Sequence, residues 1–124
     1  MRRSMLALAL AAVALGAAAC STSSAPGWTY APHYVTVAGL RMHFVEEGAG
    51  APIVLLHGTG ASLHTWEGWV RELKGQRRVI TFDLPGFGLT GPNATGDYRG
   101  DTYARFVLDL LDQLKVQRFV IAGN

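Results

Sequence analysis

The sequence predicts an α/β fold, in which an antiparallel hairpin is followed by parallel strands with crossover helices. Three observations carry this expectation. Short apolar runs at Ile53–Leu56, Val79–Phe82 and Arg118–Ala122 have the character of strands buried on both faces of a parallel sheet. Between them lie apolar stripes at helical spacing. Strands that alternate with helices favour parallel pairing, because each crossover helix covers a sheet face.

Taken in chain order, His33–Val37 and Leu40–Glu46 are two short runs separated by Ala38-Gly39. Leu40, Met42 and Phe44 fall on one face of the second run, and Arg41 and His43 on the other. That period of two predicts a half-buried hairpin with a polar outer face. A loop at Gly48–Pro52 leads into the strand Ile53–Leu56. Trp66, Trp69, Val70 and Leu73 recur at i, i+3, i+4 and i+7 and predict a helix over 66–74. Ser62 or Thr65 is placed to cap its start, and Gly75 to stop it. Residues 83–100 follow the strand Val79–Phe82 and are rich in Gly, Pro, Asn and Thr. They predict a long loop, a place where compact domains often carry function. Tyr103, Phe106, Val107, Leu110, Leu111 and Leu114 form the cleanest helical stripe, with Asp101 or Thr102 as candidate caps. Arg118–Ala122 is the last strand, and no internal repeat is present.

Composition excludes several classes. With 49% apolar and 16% charged residues over 124 positions, the chain is too apolar for a disordered tail, and its length allows one small domain. A single cysteine excludes an intramolecular disulfide scaffold and a Cys-rich zinc module. The 11 basic residues outnumber the 9 acidic ones only through Arg2-Arg3, so the body of the chain offers no basic surface for nucleic acid. The longest apolar run, Met5–Ala19, falls short of the roughly 20 residues a spanning helix needs, which excludes a polytopic membrane protein.

Residues 1–19 instead predict an export signal. Arg2-Arg3 supplies a positive start, Met5–Leu15 an apolar core and Ala17-Ala18-Ala19 the small residues a signal peptidase accepts. Cys20 follows directly. The segment Leu15-Gly16-Ala17-Ala18-Ala19-Cys20 resembles the lipobox of bacterial lipoproteins, with Ala17 where that motif carries Leu. The resemblance implies lipidation at Cys20, and the Ser/Thr-rich stretch fits a tether over 20–32 ahead of a domain over 33–124. The expected location is the cell envelope, lipid-anchored to a bacterial membrane; the alternative is a periplasmic or secreted protein with a free thiol.

Three segments could carry chemistry. His57-Gly58-Thr59-Gly60 follows a strand, at the end where α/β proteins place ligands. Its glycines allow close backbone approach, and its N–H groups suit an anion developing on a carbonyl oxygen. A tight turn with no ligand fits the same residues equally well. Asp83-Leu84-Pro85-Gly86-Phe87-Gly88 reads first as an Asp that bonds the backbone of its own turn. Gly123-Asn124 follows the last strand, where a G-x-S-x-G nucleophile elbow begins. His33, His43, His57 and His64 read as structural, and no third or fourth ligand stands at metal-site spacing from His57 and His64. Asn93-Ala94-Thr95 is a formal glycosylation sequon, read as a chance match.

In this order and spacing, these segments resemble the α/β-hydrolase family over about residues 33–124. His57-Gly58-Thr59-Gly60 is similar to its HGxG oxyanion loop, and Asp83–Gly88 to its D-x-P-G-x-G loop. Val120-Ile121-Ala122-Gly123-Asn124 is similar to the strand and first half of its elbow. The resemblance implies the N-terminal half of an α/β-hydrolase sheet, truncated at the nucleophile elbow. It implies that the Thr59 N–H is one oxyanion donor, that Gly58 shapes the turn and that His57 orients the loop. Nucleophile, acid and histidine would all lie beyond Asn124, leaving no catalytic residue in this chain. The 124 residues alone are then expected to be inactive and poorly stable. The expected parent is a serine-type, esterase- or lipase-like hydrolase of a small ester or related carbonyl substrate, with no metal or organic cofactor implied. Its expected partners are that small molecule and a membrane through the lipid anchor, with no nucleic acid. Two alternatives stand beside it: a lipid-anchored, non-catalytic binding module, and a dinucleotide-binding oxidoreductase. Gly58-Thr59-Gly60 ahead of a helix and Asp83 after the next strand mimic the latter, but its third glycine position holds Leu63.

Overall fold

The computed structural model describes residues 30–124; the expected signal, most of the tether and Cys20 lie outside the described residues. Strands β1 (His33–Val37) and β2 (Leu40–Glu47) form the expected hairpin. Ala38 and Gly39 make its two-residue turn, both at positive φ, as the twist-matched hairpin turn requires. Three further strands follow: β3 (Pro52–Leu56), β4 (Arg78–Phe82) and β5 (Val120–Gly123). The sheet order is β1-β2-β4-β3-β5. β2 runs antiparallel to both β1 and β4, whereas β3 is parallel to β4 and β5. The sheet is therefore mixed, with the antiparallel hairpin at one side and the parallel strands beside it.

The two helices cover opposite faces. A 3₁₀ turn at Leu63–Trp66 leads into α1 (Glu67–Leu73), and α2 spans Gly100–Gln113. Val70 and Trp66 pack with Leu55 and Val79 on one face. Phe106, Val107, Leu110 and Leu111 pack with Val54, Ile80, Met42 and Phe44 on the other. Val54 and Leu55 thus serve different cores, so β3 has no polar alternation. Right-handed crossovers explain the arrangement. From β3 the chain steps one way to β4, and from β4 it steps back past β3 to β5, which puts the helices on opposite sides.

Two expectations about helix ends are corrected. Neither Ser62 nor Thr65 makes a side-chain cap bond; Ser62 precedes the 3₁₀ turn in extended backbone, and Trp66 occupies the cap position of α1. Asp101 and Thr102 lie inside α2, whose cap position is Arg99 with no side-chain cap bond. The nearby carboxylate is that of Asp97. It accepts from the Arg99 backbone N–H at 3.1 Å and the Thr102 hydroxyl at 2.7 Å. The other end of α2 closes without a glycine. Lys115 takes positive φ, its N–H donates to Asp112 O, and the Val116 N–H donates to Leu111 O. This is a Schellman closure, sealed by buried Val116.

The largest correction concerns the hairpin's outer face. His43 is fully buried, not solvent-facing. β2 is an inner strand, and the rings of Tyr34 and Tyr30 sit 5.3 and 5.7 Å from the His43 ring. A polar side chain in that position needs a partner, and it has one in Asp83. Arg41 does stay at the surface, its guanidinium 3.7 Å from the centre of the Tyr34 ring.

Candidate active site

β3 and β4 end side by side, and the segments that leave them build the site. After β3 the chain turns through His57–Gly60, with a bond from the Ala61 N–H to Gly58 O at 3.2 Å and Gly60 at positive φ. Buried His57 locks this turn to the loop after β4. Its Nδ1–H donates to Gly58 O at 2.8 Å, and its Nε2 accepts from the Leu84 N–H at 3.0 Å. Those two bonds select one neutral tautomer and occupy both ring nitrogens. With both ring nitrogens engaged, the imidazole ties the His57–Gly60 turn to the loop after β4. Phe87 meets it edge-on at 5.4 Å.

Asp83 is the second organiser. It is buried, and its carboxylate accepts three bonds: from His43 Nδ1–H and the Leu63 and Leu89 N–H groups, at 2.8, 2.8 and 2.9 Å. The expected bond to its own turn is the one from Leu89. The other two reach across the fold, fixing β2 and the 3₁₀ turn to the loop. Thr90 adds a fourth tie, donating to Asp83 O and accepting from the His43 N–H. His43 Nε2 has no hydrogen-bond partner among the described residues. Gly88 is required here: at φ +51° it lies against the Asp83 carboxylate, where an added Cβ would collide.

The residues expected to form the site fall in one place. A Cβ on Gly58 would come within 2.8 Å of Asn124 O, so only glycine lets the His57–Gly60 turn approach the end of β5 this closely. The Asn124 N–H points to Leu56 O at 3.4 Å, and Gly123 stands opposite Leu56 in the register. Thr59 is exposed, and its N–H makes no hydrogen bond among the described residues. Cys20 lies outside the described residues. Among them, no cluster of three or more His, Cys, Asp or Glu could hold a metal ion. His64, considered alongside His57, instead bonds Glu67 at 2.7 Å and Tyr30 at 3.2 Å.

No motif in the sequence marks Phe87, Tyr98 or Tyr103 as a site residue. Together with Thr59 and Pro85 they border an open cleft of about 440 Å³. The aromatic content of 83–103 was the available signal, but it read as loop and helix stripe.

Comparison with known proteins follows the same outline. Residues 51–124 match the alpha/beta hydrolase fold family. The chain is similar to a 2-hydroxymuconate semialdehyde hydrolase of Pseudomonas sp. (strain CF600), at 32% identity over 93 residues, covering 73% of this chain and 33% of that protein. It is similar to a haloalkane dehalogenase of Agrobacterium fabrum, at 43% identity over 83 residues, covering 67% of this chain and 27% of the other. Among solved structures it resembles a bacterial membrane phospholipase A, with a TM-score of 0.73 and 31% identity, over 76% of this chain and 31% of that one. The chain thus spans about a third or less of these relatives' lengths. Matched over residues 51–124, more than half its length, the chain belongs to the alpha/beta hydrolase fold family.

Proposed function

We propose that this chain supplies the oxyanion-binding half of a serine-type hydrolase of a small ester or related carbonyl compound, held at a bacterial membrane by a lipid on Cys20. One observation carries the catalytic part: the approach of Gly58 to Asn124, which sets the His57–Gly60 turn against the point where an elbow nucleophile would emerge. A hydroxyl there would attack the substrate carbonyl carbon and lose its proton to a base. The oxygen that gains charge would meet the unengaged Thr59 N–H. Collapse expels the alcohol with that proton, and water then releases the acid from the acyl-enzyme. The names of its relatives span a semialdehyde hydrolase, a dehalogenase and a phospholipase. This half of the site is therefore compatible with more than one reaction, and the nucleophile decides among them.

The test is to treat the whole protein that carries this chain with a fluorophosphonate probe and map the adduct by peptide mass spectrometry. The expected adduct lies on the residue that follows Asn124. No adduct, or an adduct elsewhere, sinks the serine reading. For the anchor, cells fed an alkyne fatty acid should yield labelled protein, and Cys20→Ala should remove the label. Label retained in that variant, or absent from the parent, removes the anchor.

A further inference from the structure

We propose that the cleft beside Thr59 is a subsite for a neutral aromatic group that carries an oxygen acceptor. This inference rests on the hydrolase reading only for its link to the reacting carbonyl; the cleft itself stands on its own geometry. At about 440 Å³ it falls within the usual range for small-molecule pockets, roughly 300–1,000 Å³.

Its walls are aromatic, and they are fixed. The Tyr98 and Tyr103 rings stand 6.1 Å apart at 45°. The Tyr103 hydroxyl donates to Pro85 O at 3.2 Å, which ties α2 to the loop after β4. The Tyr98 ring lies over Gly86, whose φ is +87° and where an added Cβ would come within 3.1 Å of Tyr98 Cε1. Phe87 is braced edge-on by His57. The paired Tyr98 and Tyr103 rings and Phe87 form an aromatic wall that favours a flat apolar guest through offset or edge contacts.

The polar content of the cleft narrows the guest further. Among the described residues no charged side chain lines it, and neighbouring Asp97 and Arg99 are bonded to each other. The guest is therefore neutral. Tyr103 spends its hydroxyl proton on Pro85 O. Tyr98 differs, because its oxygen accepts from the Asn93 N–H at 3.0 Å, which leaves its own proton to donate. Tyr98 is 42% exposed, so that proton is within reach of a ligand oxygen. Thr59 borders the same cleft, which places the ring of a bound substrate next to the proposed oxyanion donor.

Three ligands separate the ring from the oxygen: acetophenone has both, toluene only the ring and acetone only the oxygen. Their binding to the whole protein is followed by NMR titration. Acetophenone should bind at least about tenfold tighter than acetone. Tyr98→Phe keeps the ring over Gly86 and removes only the hydroxyl. It should weaken acetophenone about three- to tenfold and leave toluene unchanged. Phe87→Leu should weaken both aromatic ligands, whereas Trp69→Ala, away from the cleft, should weaken neither. Thermal unfolding of each variant verifies the fold. Equal binding of acetophenone and acetone, or acetophenone binding indifferent to Tyr98→Phe, overturns the subsite. Hydrolysis of ethyl benzoate and ethyl acetate is measured in parallel. Tyr98-dependent acetophenone binding without hydrolysis of either ester upholds the subsite and counts against the hydrolase reading alone.

Discussion

At the scale of single residues, Asp83 does more than its sequence context suggests. Its carboxylate receives three donors, His43 Nδ1–H and the Leu63 and Leu89 N–H groups, while 2% exposed. Because every partner is a donor, an amide is no substitute. In Asp83→Asn the NH₂ group must face an N–H, and a buried donor loses its acceptor. Asp83→Ala and Asp83→Asn are therefore both expected to cost about 3–5 kcal/mol of folding stability. Urea unfolding of the two variants checks this; an Asn variant close to the parent would show that the carboxylate's charge and acceptor count are not what matters. His43 departs furthest from its sequence pattern. Alternation put it on the hairpin's polar face, and alternation alone does not reveal that Tyr30, Tyr34 and Asp83 cover that face. Its partner lies forty positions away, beyond the reach of any local pattern.

At the scale of elements, strands and helices were legible because α2 buries its stripe, α1 sets Val70 and Leu73 against the sheet while Trp69 stays exposed, and the inner strands bury both faces. The caps were not legible, because Ser, Thr and Asp near a helix start mark several adjacent positions as equivalent. Asp97 shows what decided the start of α2. Hydrogen bonds from the Arg99 guanidinium and then the Thr102 hydroxyl lower its pKa from 3.8 to about 2. The folded state therefore favours the ionised form. That stabilisation is present above the unfolded value near 4 and is lost as pH falls toward 2. Asp97→Asn should flatten the acid limb of a stability-versus-pH curve in that window; a limb as steep as the parent's would assign the acid loss to other carboxylates. The turn after β3 makes a different prediction. If the Thr59 N–H holds the oxyanion, deleting the side chain removes nothing essential. Thr59→Ala should retain activity in the whole protein, while Thr59→Pro, which lacks the N–H, should lower kcat about 10²–10³-fold. Equal losses in both variants would point to the side chain.

At the scale of the whole molecule, the two sides of the described sheet differ. β1 closes the antiparallel side as a short strand, and Gln113 of α2 reaches it by donating to Thr36 O at 2.7 Å. On the opposite side, among the described residues, β5 pairs with β3 and with no other strand. Val120 and Ile121 on that strand are 54% and 50% exposed, and Leu108 on the facing helix is 53% exposed. Between strand and helix runs an open apolar groove of about 350 Å³, lined by Leu56, Val107, Leu108, Phe119 and Ile121. The apolar edge is legible in the sequence, because Val120-Ile121 is apolar at consecutive positions and so makes both faces of the strand apolar. Unpaired backbone groups beside exposed apolar side chains form a template for association. The 124-residue chain in isolation should therefore self-associate in sedimentation velocity across a concentration series. Charges on both walls of the groove, as Ile121→Lys with Leu108→Lys, should shift it toward monomer without loss of the far-UV circular dichroism signal. Both positions line the groove, so a gain in monomer with the fold retained would isolate the edge as the cause. A parent chain that stays monomeric throughout would mean that the twist of the sheet and the short length of β5 protect this edge by themselves.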